Sequence, residues 1–196
     1  AARRAVDAVA MAAENTAPAQ MAVASGSDGR WAANRRAVTM DGGITMVYGD
    51  WGEPSAEQTI RYIEGPIDPE VGVAVLRRET LDVPALLLHH TCHPVCVFSR
   101  PVVSADWPGE WAAQMQSIFS RECVPLVVNG ACGNINPADR NDHRAMGRGL
   151  ARTTEMMLSR LEFSDEAALD FRRVELPIPL RELTDEEIDW ARGVLD

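Results

Sequence analysis

Three of the four histidines of this chain fall within one stretch, Leu86-Leu87-Leu88-His89-His90-Thr91-Cys92-His93-Pro94. Neutral imidazole is the commonest biological ligand for zinc, and the end of an apolar strand can hold such a ring rigidly beside a cleft. Pro94 stops strand pairing directly after His93. With a strand's period of two, His89, Thr91 and His93 share one face, and His90 and Cys92 share the other. No HExxH pattern is present, and the histidines alone do not complete a tetrahedral set. Spacing therefore leaves two readings of His93 open: a hydrogen-bonded structural residue, or a metal ligand.

Two further stretches have chemistry-bearing residues. Val103-Ser104-Ala105-Asp106-Trp107-Pro108-Gly109 reads as a helix start, with Ser104 a polar cap candidate and Pro108 near the first turn. Its plain role is to start a helix and bury Trp107; its functional role would be to present free N–H groups beside a cleft. Val127-Val128-Asn129-Gly130-Ala131-Cys132-Gly133-Asn134-Ile135-Asn136-Pro137 runs from a strand into two glycines. Such a loop is either a tight structural turn or a nest of converging N–H groups for an oxyanion. It has no Gly-Lys-Ser/Thr ending and no GxGxxG, which argues against a nucleotide loop.

The elements that must position these residues follow from the pattern around them. Ala2–Asn15 reads as a helix with Val6, Val9, Ala10 and Ala13 on one face. Gln20–Ala24 reads as a short strand, and residues 30–66, rich in Gly and Trp, as irregular chain with short strands. Val71–Arg77 and Val83–His90 are strand candidates joined by a turn at Glu79–Asp82. A helix is expected from Ser104 to about Arg121, then a buried strand at Pro125–Asn129. A long helix follows over Asp142–Leu161, with Met146, Leu150, Thr153, Met157 and Leu161 inward. Phe171–Pro179 alternates like a strand, and Thr184 with Glu187 makes a capping box for a last helix. Strands alternating with helices give an α/β fold, and the hairpin makes its sheet mixed.

Composition limits the partners. The 196 residues are 46% hydrophobic and 24% charged, as expected of a soluble globular protein rather than a disordered one. A net charge of −10 argues against a nucleic-acid partner. No run approaches the ~20 apolar residues of a membrane helix. The acidic runs Glu162–Glu166 and Asp185–Asp189 read as solvated surface. Cys92, Cys96, Cys123 and Cys132 lie in apolar or Gly-rich segments; the leading reading is free buried thiols, with disulfides or metal ligation as alternatives. The chain opens on Ala1-Ala2-Arg3-Arg4 and closes within a helical pattern at Asp196, so it reads as a single partial domain spanning 1–196, with compartment and oligomeric state undetermined.

Taken in order, several segments resemble the N-terminal catalytic domain of the neutral/alkaline, non-lysosomal ceramidase family. They are Asn34-Arg35-Arg36, Ile67-Asp68-Pro69-Glu70-Val71, Cys92-His93-Pro94, Val103–Gly109, Asn129–Pro137 and Met146-Gly147-Arg148-Gly149-Leu150-Ala151. The resemblance spans roughly residues 30–160. It implies mixed sheet layers flanked by helices within a larger domain, and a zinc-dependent amidase that cleaves the N-acyl bond of ceramide or a related substrate. It implies that His93 is one of two histidine zinc ligands, and that Arg35 binds the acyl carbonyl or the product carboxylate. Asp106 and the loop residues Gly130, Gly133 and Asn134 are then expected to line the same pocket and meet the substrate.

Two departures qualify the expectation. The family's other zinc histidine lies in a Thr-His-Thr-His segment that would precede Ala1, and its Glu and Tyr ligands would follow Asp196, so the remaining zinc ligands are expected outside these residues. The family loop carries a catalytic serine where this chain has Asn136. An amide can donate a hydrogen bond to an oxyanion, but it has no hydroxyl to activate. Metal-assisted hydrolysis needs no serine, which leaves Arg35 and Asn136 as the catalytic candidates. The alternative is a non-catalytic relative that keeps the fold as a binding or structural module.

Overall fold

The computed structural model describes residues 2–47, 59–98, 100–138, 142–166, 168 and 170–195. Its centre is a four-stranded sheet built from β1 (Gln20–Ser27), β6 (Glu70–Arg77), β7 (Ala85–His90) and β8 (Val124–Asn129), in that order. β1 pairs antiparallel with β6 and β6 antiparallel with β7, and β8 lies parallel to β7. The sheet is mixed, as the 71–90 hairpin requires. The turn of that hairpin closes through Arg78 N–H to the Asp82 carbonyl (3.0 Å), with Leu81 in the left-handed region at φ 67°.

Two helices, α2 (Asp106–Ile118) and α3 (His143–Leu158), pack with one face of this sheet. The alternation along β6 and β7 sends Val71, Val73, Val75, Leu86, Leu88 and His90 inward. There they join a core with Trp107, Trp111 and Met115 of α2 and Met146, Leu150 and Met157 of α3. α3 starts where the sequence puts it, with the Asp142 carboxylate accepting from Ala145 N–H (2.8 Å). Gly147 and Gly149 explain how it packs so closely. A Cβ at Gly147 would lie 2.7 Å from the Trp107 carbonyl oxygen, and one at Gly149 would lie 1.9 Å from the Trp31 indole.

Two smaller sheets complete the layers. β2 (Ala32–Asn34) pairs with β9 (Ile135–Pro137), and β3 (Arg36–Thr39) pairs with both β4 (Ile44–Met46) and β5 (Ile60–Ile63). The irregular character expected of residues 30–66 thus holds where they are described; residues 48–58 lie outside the described residues. The remaining helices are α1 (Ala2–Glu14) and α4 (Asp185–Leu195), and neither has a buried residue. α4 has the expected capping box: Glu187 N–H donates to Thr184 Oγ1 (3.2 Å) and Thr184 N–H to Glu187 Oε2 (3.0 Å).

Several expectations are corrected. The 125–129 segment is not a buried strand. β8 is an edge strand, and Val124, Leu126 and Val128 are about half exposed (52%, 50% and 49%) on the sheet face away from the helices. Phe171–Pro179 forms no strand: Phe171, Val174, Leu176 and Ile178 are all strongly exposed, because alternation makes a strand only where a partner edge receives it. α2 ends at Ile118 rather than near Arg121, and β1 runs on to Ser27 because Ser25, Gly26 and Ser27 pair with β6. The cysteines follow the leading expectation instead: all four are free, and burial pushes the Cys92 thiol well up. Among the described residues no helix is long and apolar enough to cross a membrane.

Candidate functional site

β7 ends at His90, and the chain turns through Thr91 and Cys92 to His93. Beside it, β8 ends at Asn129 and enters the glycine turn. Because β7 and β8 are parallel, both turns leave the same end of the sheet. The glycine turn then doubles back as β9 and pairs with β2, which carries the chain into Arg35.

Three successive carbonyls of this turn draw the remote segments together. Gly133 O accepts from Arg35 Nη2 (2.7 Å) and Asn134 O from Arg35 N–H (2.8 Å). Ile135 O accepts from His93 N–H (3.1 Å) and faces His93 Nδ1 at 3.0 Å. A carbonyl can only accept, so Nδ1 carries the proton, and in the neutral ring Nε2 holds the lone pair. A histidine oriented through one nitrogen by a backbone carbonyl is how metal-binding imidazoles are commonly held. Arg35 and His93 are both half-buried.

The turn contributes carbonyls rather than a nest. Among its described residues none has φ in the left-handed region, which an αR–αL nest requires, and Gly130 N–H donates to His90 O (3.3 Å) while Ile135 N–H donates to Cys132 O (2.9 Å). The two glycines differ in purpose. A Cβ at Gly130 would sit 2.1 Å from Thr91 Oγ1 and 3.0 Å from His89 Nε2, so the backbone must pass close there. A Cβ at Gly133 would meet nothing within 4 Å. Gly130→Ala is therefore expected to lower stability by about 1–3 kcal/mol, whereas Gly133→Ala should stay within about 0.5 kcal/mol of the parent. Urea denaturation of the two variants side by side checks this.

The other candidates are placed as follows. Asn136 lies in β9 opposite Ala33 and is buried. Asp106 is also buried, at 4% exposure, and its carboxylate accepts from Val97 N–H (2.9 Å) and Trp107 N–H (2.7 Å). It touches backbone where the resemblance implied contact with substrate. His90 is enclosed in the core, with Nδ1 on the Glu70 carbonyl (3.1 Å) and its ring edge-on to Trp107; burial pushes its pKa down. A groove of about 560 Å³ on the outer face of the sheet has His89, Gly72, Leu87 and Val128 in its lining, but neither His93 nor Arg35.

Sequence reasoning gave no role to two residues that hold this arrangement. Asn34 is buried beside Arg35; its Oδ1 accepts from Arg36 N–H (3.0 Å) and its Nδ2 donates to Gly65 O (3.1 Å), while Arg36 pairs with Glu64. Asp28 is the second. It accepts from Arg30 Nε (2.8 Å), Trp31 Nε1 (3.0 Å) and Thr153 Oγ1 (2.7 Å), tying the 3₁₀ turn Gly29–Trp31 ahead of β2 to α3. The spacing of Asp28, Arg30 and Trp31 was the available signal, since a short acidic side chain readily bonds the backbone two residues on.

For zinc, His93 Nε2 is one candidate ligand atom, and among the described residues no three of His, Cys, Asp and Glu gather into a metal-binding group.

The fold belongs to a recognisable class: mixed sheets flanked by helices, of the kind found in ceramidases. No family model matches the chain, and no curated protein matches it in sequence. Among solved structures it is similar to the neutral ceramidase from Pseudomonas aeruginosa, with a TM-score of 0.58 and 14% identity over 79% of this chain and 25% of that one. It is also similar to a ceramidase complexed with C2, with a TM-score of 0.54 and 15% identity over 73% of this chain and 22% of that one. At such identities the likeness is one of fold. The chain spans about a quarter of the length of these ceramidases.

Proposed function

We propose that this chain is one part of a larger, zinc-dependent hydrolase domain resembling neutral ceramidase, which cleaves an N-acyl amide such as ceramide or a related lipid or small-molecule amide. The observation that carries the reading is the convergence of Arg35 and His93 on the successive carbonyls of Gly133, Asn134 and Ile135. The ceramidase-like fold supports the same class of chemistry by analogy, and fold alone does not fix substrate.

In this reading His93 supplies Nε2 as one ligand, and the other ligands come from elsewhere in the complete protein. Zinc bound there would supply polarisation of a scissile carbonyl and a water of lowered pKa. Arg35 is anchored by Nη2 and offers its charge to the acyl oxygen or the released carboxylate. Gly130, Gly133 and Asn134 shape the wall beside it, and the Asn136 amide donates to the developing oxyanion.

One observation favours a second reading. With Asn136 in place of the family's serine there is no hydroxyl to activate, which suits a non-catalytic module built on the same fold. The complete protein, purified with zinc, separates the two. Hydrolysis of labelled ceramide or a shorter N-acyl amide supports the enzyme; zinc-loaded protein that cleaves neither supports the module. His93→Ala should reduce bound zinc from stoichiometric to less than about a tenth, since loss of one ligand of four opens the site. A variant that keeps its full zinc would refute the ligand assignment.

A further inference from the structure

Resting on the reading of His93 as a ligand, we propose that Asp106 is a positioning residue that fixes the His93 imidazole in its metal-binding tautomer, and does not itself meet the substrate. Asp106 is the first residue of α2, yet it has φ 53°, in the left-handed region. Aspartate enters that region more readily than most residues, but still at a cost. What the conformation accompanies is a buried carboxylate that bonds Val97 N–H and Trp107 N–H.

The neighbours of Asp106 are arranged around the same turn. Ser104 Oγ accepts from Asp106 N–H (2.9 Å), and a Cβ at Gly109 would lie 2.6 Å from that of Ala105, so this helix start is wound too tightly for a larger residue there. Trp107, next in sequence, donates from Nε1 to the His93 carbonyl (3.3 Å). Two consecutive residues of α2 therefore hold the 93–97 turn at both ends, Trp107 at His93 O and Asp106 at Val97 N–H. From the other side Ile135 O receives His93 N–H and Nδ1. The His93 backbone is clamped between α2 and the glycine turn, which keeps Nδ1 on its carbonyl. A free histidine side chain in water favours the proton on Nε2, the opposite tautomer, so the bias comes from the Ile135 carbonyl that this clamp holds against Nδ1.

The test uses the complete protein labelled with ¹⁵N-histidine. Asp106→Gly removes the carboxylate while tolerating the positive φ; Asp106→Asn tolerates the φ and keeps one acceptor oxygen. Long-range ¹H–¹⁵N spectra of metal-stripped protein read the His93 tautomer, with His93→Gln identifying its signals, and zinc titration reads affinity. The parent is expected to hold the Nδ1–H form. Asp106→Gly should shift His93 toward Nε2–H and weaken zinc binding at least tenfold, in the range that loss of a ligand-orienting group produces; Asp106→Asn should fall between the two. If the variants lose stability while tautomer and zinc affinity stay at parent values, Asp106 is merely structural and the proposal is overturned. If Asp106→Gly fails to fold, Asp106→Asn decides by the same readouts. A parent protein that binds no zinc would sink the ligand reading instead, and the tautomer spectra would still judge the clamp.

Discussion

Gly149→Ala should destabilise the protein by about 1–2 kcal/mol, although alanine is the better helix former. The propensity gain is about 1 kcal/mol, and overpacking a filled site costs about 1–3 kcal/mol and sometimes more. Overpacking wins here because the added Cβ would lie 1.9, 2.4 and 2.8 Å from three atoms of the Trp31 indole, and Asp28 pins that indole through Nε1. Chemical denaturation measures the loss. A cycle with Trp31→Ala isolates its cause: in that background Gly149→Ala should become neutral or stabilising. An unchanged penalty would place the strain elsewhere.

Asp28 gives the second large effect, and it depends on pH. Burial alone would push this carboxyl up; the bonds from Arg30, Thr153 and Trp31 together outweigh that and hold it at about 2, below the ordinary 3.8. The folded-state pKa is depressed, so the stabilisation is fully present above the unfolded value near 3.8 and is lost as pH falls through about 2. A shift of this size corresponds to roughly 2 kcal/mol at neutral pH. Asp28→Ala should cost about 3 kcal/mol at pH 7, because it also leaves the Trp31 N–H without its partner and the Thr153 hydroxyl with only the Gly149 carbonyl (3.3 Å). For Asp28→Asn the deficit relative to parent should shrink between pH 4 and pH 2 as the parent's own carboxyl protonates. Denaturation midpoints across that range decide it; a pH-independent deficit would mean the charge contributes nothing.

Local chemistry made much of the fold readable. The Asp142 and Thr184 caps, the inward row from Met146 to Met157 and the 71–90 hairpin all rest on interactions within a few residues or within one pairing. What was misread depends on partners elsewhere. Val124, Leu126 and Val128 are apolar enough for a central strand, and composition does not say whether another strand lies beyond them. The same holds for Val174, Leu176 and Ile178, which alternate without an edge to join. At the site, the family resemblance singled out His93, which strand periodicity had only grouped with His89 and Thr91 although β7 ends at His90, and nothing local connects it to Arg35. That link runs through the Gly133–Ile135 carbonyls and emerges only when β2 meets β9. Asp106 shows the converse: its position before Trp107 and Pro108 marked a helix start, while its left-handed φ and its bond to Val97 N–H are set by the turn it grips.

The β2–β9 ribbon has only three residue pairs, Ala32 with Pro137 to Asn34 with Ile135, and it joins segments about a hundred positions apart. Closing so long a loop carries a large entropic cost, and so few pairs offset little of it locally. Fraying there would release the guanidinium and loosen the imidazole in one event. Assembly of the centre is then a single local folding equilibrium, and slow amide exchange at Arg35 and His93 would report how firmly both are engaged.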